Sequence, residues 1–152
     1  MKNFLIAIAT FFSFTLAGTT VVSADSVTNS VVGMQGYDLV SYHSSEKPLQ
    51  GNGNHLVTID GVNYLFTNED NKKKFASNPK KYLPAYGGYC AYGASVGKKF
   101  IGDPTVWKVV GGTLYLNLDN NVKSIWVKDI PGNIRKANGK WAKIKSVPAG
   151  DL

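Results

Sequence analysis

The sequence predicts an α+β fold: a single domain built on a small antiparallel sheet of hairpins with short packed helices. Three observations lead there. Two dipeptides that tolerate positive φ, Asp60-Gly61 and Gly111-Gly112, each stand between runs of apolar and β-branched residues. Each of these hairpins is followed by a capping residue and a helix-like stretch. Beyond residue 24 the chain is long enough for one modest core, and no low-complexity block divides it.

In chain order, residues 1–24 read as a cleavable secretory signal: Lys2, then the apolar stretch 4–17, then Val22-Ser23-Ala24, whose small residues suit a signal peptidase. The apolar stretch is shorter than the roughly 20 residues of a spanning helix. It is also broken by Thr10, Ser13 and Thr15. The expectation is export, to the periplasm or the medium, with cleavage after Ala24 and no membrane span. Residues 25–35, rich in Ser, Thr, Asn and Val without period, read as a flexible leader, with order beginning near Gly36-Tyr37-Asp38.

Residues 42–54 carry loop chemistry: Ser44, Ser45, Pro48, Gly51, Asn52 and Gly53. Residues 55–59 and 62–66 form the first predicted hairpin, around Asp60-Gly61. Thr67 or Asn68 then caps a helix whose first turn holds Glu69 and Asp70 at the positive end of the helix dipole, and Asn78-Pro79 stops it. Pro79 starts another turn through Tyr82. Residues 87–93 follow as a compact glycine and aromatic segment. Residues 106–110 and 113–118 make the second hairpin, around Gly111-Gly112. Asp119 or Asn120 caps a helix with Val122, Ile125, Trp126 and Ile130 on one face, interrupted at Pro131-Gly132. A helical segment over 133–141 precedes a frayed tail, 142–152. The two hairpin-then-helix stretches are alike only in architecture, which does not amount to a repeat.

The chain is basic, with 17 Lys and Arg against 10 Asp and Glu. The signal holds one of the former and none of the latter, so the rest keeps a net +6. Such a charge draws an exported protein toward an anionic envelope surface or serves solubility. Nucleic acid is not an expected partner in that compartment. Cys90 is the single cysteine, so no disulfide forms within the chain and stability rests on packing.

Several of these segments resemble one known family. Residues 36–42 (Gly-Tyr-Asp-Leu-Val-Ser-Tyr), then Val62-Asn63-Tyr64-Leu65-Phe66, Phe75, Asn78-Pro79 and Tyr82, are similar to the YHS domain family. Residues 86–93, Gly97-Lys98-Lys99, Gly102-Asp103-Pro104, residues 114–117 and 129–134 are similar to its exported, stand-alone branch. The resemblance covers most of 36–141. It implies metal binding, through cysteines in the opening segment and after the Tyr-Phe strand. Here Leu39, Val40, Ser41, Thr67 and Asn68 occupy those places, so the implied cysteines are missing.

The candidate chemistry therefore centres on Cys90, which is either a small buried thiol or a nucleophile and soft ligand flanked by glycine-rich chain. Tyr89, Cys90 and Tyr92 are the candidate ligand-binding residues, and Cys90 with His43 the candidate metal ligands. His55 is the other imidazole, and Met34 offers a thioether to Cu(I). Tyr82, Tyr86, Tyr89, Tyr92 and Trp107 form an aromatic set that packs a core or lines a cleft. Two functions fit: a non-enzymatic binding module handling copper or another soft metal ion or a small ligand around Cys90, and a thiol-dependent enzyme or redox protein using Cys90. No Ser-His-Asp order, phosphate-binding glycine loop or dinucleotide motif is present in the sequence.

Overall fold

The computed structural model describes residues 31–152; the signal expected at residues 1–24 lies outside them. The architecture is α+β. Strands β1 (Val31–Val32), β2 (Asn52–Ile59) and β3 (Val62–Phe66) form one sheet in the order β1-β3-β2, and β4 (Asp103–Val110) pairs with β5 (Thr113–Asn117) in a second. Both hairpins are antiparallel, while β1 lies parallel to β3 with Val31 opposite Val62. Five helices surround them: α1 (Glu69–Ser77), α2 (Pro79–Tyr82), α3 (Ala91–Val96), α4 (Asn120–Trp126) and α5 (Ile130–Ile144). Among the described residues no helix is long and apolar enough to cross a membrane.

Local chemistry accounts for most boundaries. At the hairpin tips φ is 50° and 76° for Asp60 and Gly61, and 57° and 79° for Gly111 and Gly112, the two consecutive positive values of a type I′ turn. The Asn68 side chain accepts the Asn71 amide and Asp119 accepts that of Val122, capping α1 and α4.

Other boundaries depart from the sequence-based expectation. Pro131 does not interrupt a helix but opens α5, whose first turn is held by Asp129 accepting the Gly132 amide at 2.9 Å. The break falls earlier, in a 3₁₀ turn at Val127–Asp129. Proline in a first helical turn forfeits no bond, because its amide would have had no intrahelical partner. Helix α5 runs on to a buried Ile144, so the expected frayed tail is helical at its start. Ile125 turns outward, 44% exposed, rather than joining the apolar face of α4. The compact segment expected over 87–93 gives way at Ala91 to helix α3. Order begins earlier than Gly36: Val31 and Val32 pair with β3, and Met34 packs on the core.

The largest departure is that one unit occurs twice. Met34, Gln35 and Gly36 make a left-handed turn with φ of 52°, 52° and 83°; Tyr86, Gly87 and Gly88 repeat it with 56°, 62° and 83°. Each turn leads to a tyrosine in an isolated antiparallel bridge, Tyr37 to Gln50 and Tyr89 to Ile101. The long strands shift register at matching places, between Asn52 and Leu56 and between Asp103 and Trp107. Each unit then makes its type I′ turn, its Asx-type cap and a helix carrying one fully buried aromatic, Phe75 or Trp126. Two clusters of buried side chains result, one around Leu39, Phe66, Phe75 and Leu116, the other around Tyr86, Ala91, Tyr115 and Trp126.

Candidate functional site

The repeat places Asp38 and Cys90 at equivalent positions, one residue after the bridging tyrosine of each unit. Both are fully buried, and they are held differently. Asp38 Oδ1 accepts the amides of Val40 (2.8 Å) and Ser41 (3.3 Å). Its Oδ2 accepts the Thr67 amide (2.9 Å), the Thr67 hydroxyl (2.8 Å) and the Asn71 side-chain amide (2.8 Å). A carboxylate with five donors and, among the described residues, no cation is a structural pin. It ties the opening segment to the start of α1, a role the sequence did not reveal although Asp38 lies in the 36–42 segment that carries the resemblance.

Cys90 is the N-cap of α3. Its Sγ accepts the Gly93 amide at 3.3 Å and lies 3.8 Å from Asn117 Oδ1, toward which the thiol can donate. Its own amide donates to the Phe100 carbonyl at 2.8 Å. Asn117 Oδ1 also accepts the Tyr92 amide at 3.4 Å, while its Nδ2 is buried without a partner. The thiol is thus enclosed and engaged as a helix cap, which favours the packing alternative over a presented nucleophile.

The other predicted site residues have separate surroundings. His43 stands edge-on to Tyr82, ring centroids 5.4 Å apart, with Nε2 buried and unpartnered. Burial, aided by the Lys81 charge, holds its pKa below the usual histidine value. His55 Nδ1 meets Glu69 Oε2 at 3.3 Å, and that hydrogen bond lowers the Glu69 pKa. Tyr92 packs on the second cluster. Tyr86 is buried there, its hydroxyl donating to Asn138 at 2.8 Å, and desolvation pushes its pKa up to about 12. Among the described residues no three of His, Cys, Asp and Glu gather as a metal-binding group. The structure therefore does not bring Cys90 and His43 into a common cluster of that kind.

What the fold does build beside the Cys90 segment is a pair of clefts between the two left-handed turns. One, of about 350 Å³, has Val31, Val32, Ile101, Pro104 and Leu116 as apolar wall, with Gly87, Gly88, Tyr89 and Gln35 completing its lining. The other, of about 370 Å³, is walled by Val62, Tyr64, Leu83 and Pro84. Met34 and Gly87 line both.

Strain collects at this junction. Among the described residues four non-glycine residues have positive φ; Asp60 is accounted for by its hairpin turn, and the other three, Met34, Gln35 and Tyr86, form the two turns beside the clefts. Such conformations cost of order 1–3 kcal/mol each and concentrate where a function maintains them. Tyr89 was named from the sequence and does line the first cleft. Met34 was named for its sulfur alone, and Gln35 and Ile101 were missed as wall residues. The repeated Gly36-Tyr37 and Gly88-Tyr89 pairs were the available signal.

Comparisons with protein-family models, with curated proteins and with solved structures return no match.

Proposed function

We propose that this chain is an exported, non-enzymatic binding module, YHS-like as its sequence resemblance implies, that takes a small and mainly apolar ligand in the clefts between its two units. The observation carrying this reading is the first cleft. Its volume of about 350 Å³ lies in the range of small-molecule sites, roughly 300–1,000 Å³, and its wall is apolar with few polar groups, as such sites are. Glycine backbone at Gly87 and Gly88 lets a ligand approach closely. The strained turns form one edge of the cleft.

The soft-metal arm and the thiol-enzyme alternative both require a sulfur that a reagent can reach. Cys90 is fully buried and occupied by the Gly93 amide, so those readings have less support than the cleft. Titration with 1-anilinonaphthalene-8-sulfonate as the apolar probe tests the proposal. Met34→Asn keeps a side chain tolerant of positive φ while placing an amide in both clefts. The expected result is saturable binding to the native protein, weakened about tenfold in the variant, the order expected for losing a buried apolar side chain. Absence of saturable binding, or equal binding by a folded Met34→Asn protein, refutes it.

A further inference from the structure

The charge of this protein is not spread evenly over its two units. Residues 31–84 hold six Lys and Arg against five Asp and Glu, whereas residues 85–152 hold ten against four. Both ion pairs found among the described residues involve Glu69, in the first unit. Much of the second unit's positive charge collects on one side. Lys136, Lys140 and Lys143 recur at i, i+4 and i+7 on α5, all exposed. The 97–99 loop is drawn against that helix. A Cβ at Gly97 would stand 3.5 Å from Lys140 Cδ, and Lys99 Nζ donates to the carbonyls of Lys145 (2.8 Å) and Val147 (2.6 Å). Lys99 also lies over the Tyr89 and Trp141 rings, 5.2 and 5.5 Å from their centroids.

The same loop exposes apolar side chains. Val96, Phe100 and Ile101 are 47%, 45% and 67% exposed. Ile101 is wall of the first cleft together with Val31, itself 58% exposed, and Val32. Lysines beside protruding apolar groups are the combination that suits the headgroup region of an anionic bilayer, where charge attracts and apolar tips insert. A soluble polyanion would engage the lysines and gain nothing from Phe100 or Ile101.

We propose that the 96–101 loop and the Lys136, Lys140 and Lys143 face of α5 form a docking surface for an anionic lipid bilayer, with the rim of the first cleft at the contact. The surface stands on its own residues, whether or not the cleft holds a ligand. Failure of probe binding and failure of bilayer binding are therefore separate results.

The test is co-sedimentation of the processed protein, its first residue verified by mass spectrometry, with two kinds of vesicle: phosphatidylcholine alone, and phosphatidylcholine mixed with phosphatidylglycerol. Binding is expected to be at least about tenfold tighter to the anionic vesicles and to weaken with added salt. Lys98→Glu with Lys140→Glu should lose about tenfold or more, whereas Lys80→Glu with Lys81→Glu, the same charge change on the first unit, should stay within about twofold. Ile101→Ser should weaken binding about fivefold, the worth of partly burying one isoleucine. All these positions are exposed, and thermal melts confirm that each variant is folded. Absence of binding, equal binding to both vesicles, or equal losses from the two charge-reversed pairs overturns the proposal. Binding to dextran sulfate as tight as to vesicles and insensitive to Ile101→Ser also overturns it, making a soluble polyanion the partner.

Discussion

Replacing Asp38 by alanine should be among the most damaging single changes in this protein. The side chain is fully buried and accepts five hydrogen bonds, from the amides of Val40, Ser41 and Thr67, the Thr67 hydroxyl and the Asn71 amide. Hydrogen bonds to a charged acceptor contribute about 1.5–3 kcal/mol each, but five on one group do not add, and water entering the space left by the carboxylate can satisfy one or two donors. A net loss of about 3–5 kcal/mol follows, a large share of the 5–15 kcal/mol by which a domain is usually stable. With a urea m-value of about 2 kcal/mol/M for a domain of this size, the unfolding midpoint should fall by about 2 M. Asp38→Asn sharpens the test. It keeps the shape, yet however its amide is turned, donors meet donors on one side, so it should lie between wild type and alanine. A midpoint for Asp38→Ala within about 0.5 M of wild type, at unchanged m-value, would refute the account of Asp38 as the pin between the opening segment and α1.

Cys90 should behave as an enclosed cap: iodoacetamide should modify it at least about a hundredfold more slowly in native protein than in urea, since only opening of the fold exposes the sulfur. Cys90→Ser, which preserves an acceptor for the Gly93 amide, should cost less than Cys90→Ala, by about 1 kcal/mol in denaturant melts. Rapid native alkylation would return Cys90 to the list of reactive thiols. His43 sets a pH dependence. Its folded pKa is lowered from 6.5 by burial and by Lys81, so the unfolded chain binds the proton more readily. Its contribution is intact above about pH 6.5 and is lost as pH falls toward the lower folded value. Stability measured from about pH 7 to pH 5.5 should therefore decline, and His43→Asn should flatten that decline; an unchanged slope would remove His43 as the cause. Glu69, lowered from 4.5 chiefly by its His55 hydrogen bond, acts in a more acidic window, where stability is lost as pH falls through its folded pKa.

The residues by themselves determined the hairpins, the caps of α1 and α4, the stop at Asn78-Pro79 and the α+β class. Each of these is a local matter: which side chains accept positive φ at Asp60-Gly61 and Gly111-Gly112, and which oxygens reach an amide three residues on. Tertiary structure decided the rest. Helix α3 was hidden by Gly93 and the glycines on either side of it and forms with Cys90 as cap, an arrangement a propensity scale disfavours and packing against α5 and the second cluster supports. Val31 and Val32 take their place by pairing with β3, some thirty residues on. The duplication was concealed because it resides in backbone irregularities, the left-handed turns and register shifts, which chemically different side chains such as Asp38 and Cys90 can occupy. The clefts follow from it, since Met34 and Gly87 meet there only when the two units pack, and no pattern within one segment records which residues of another will face it.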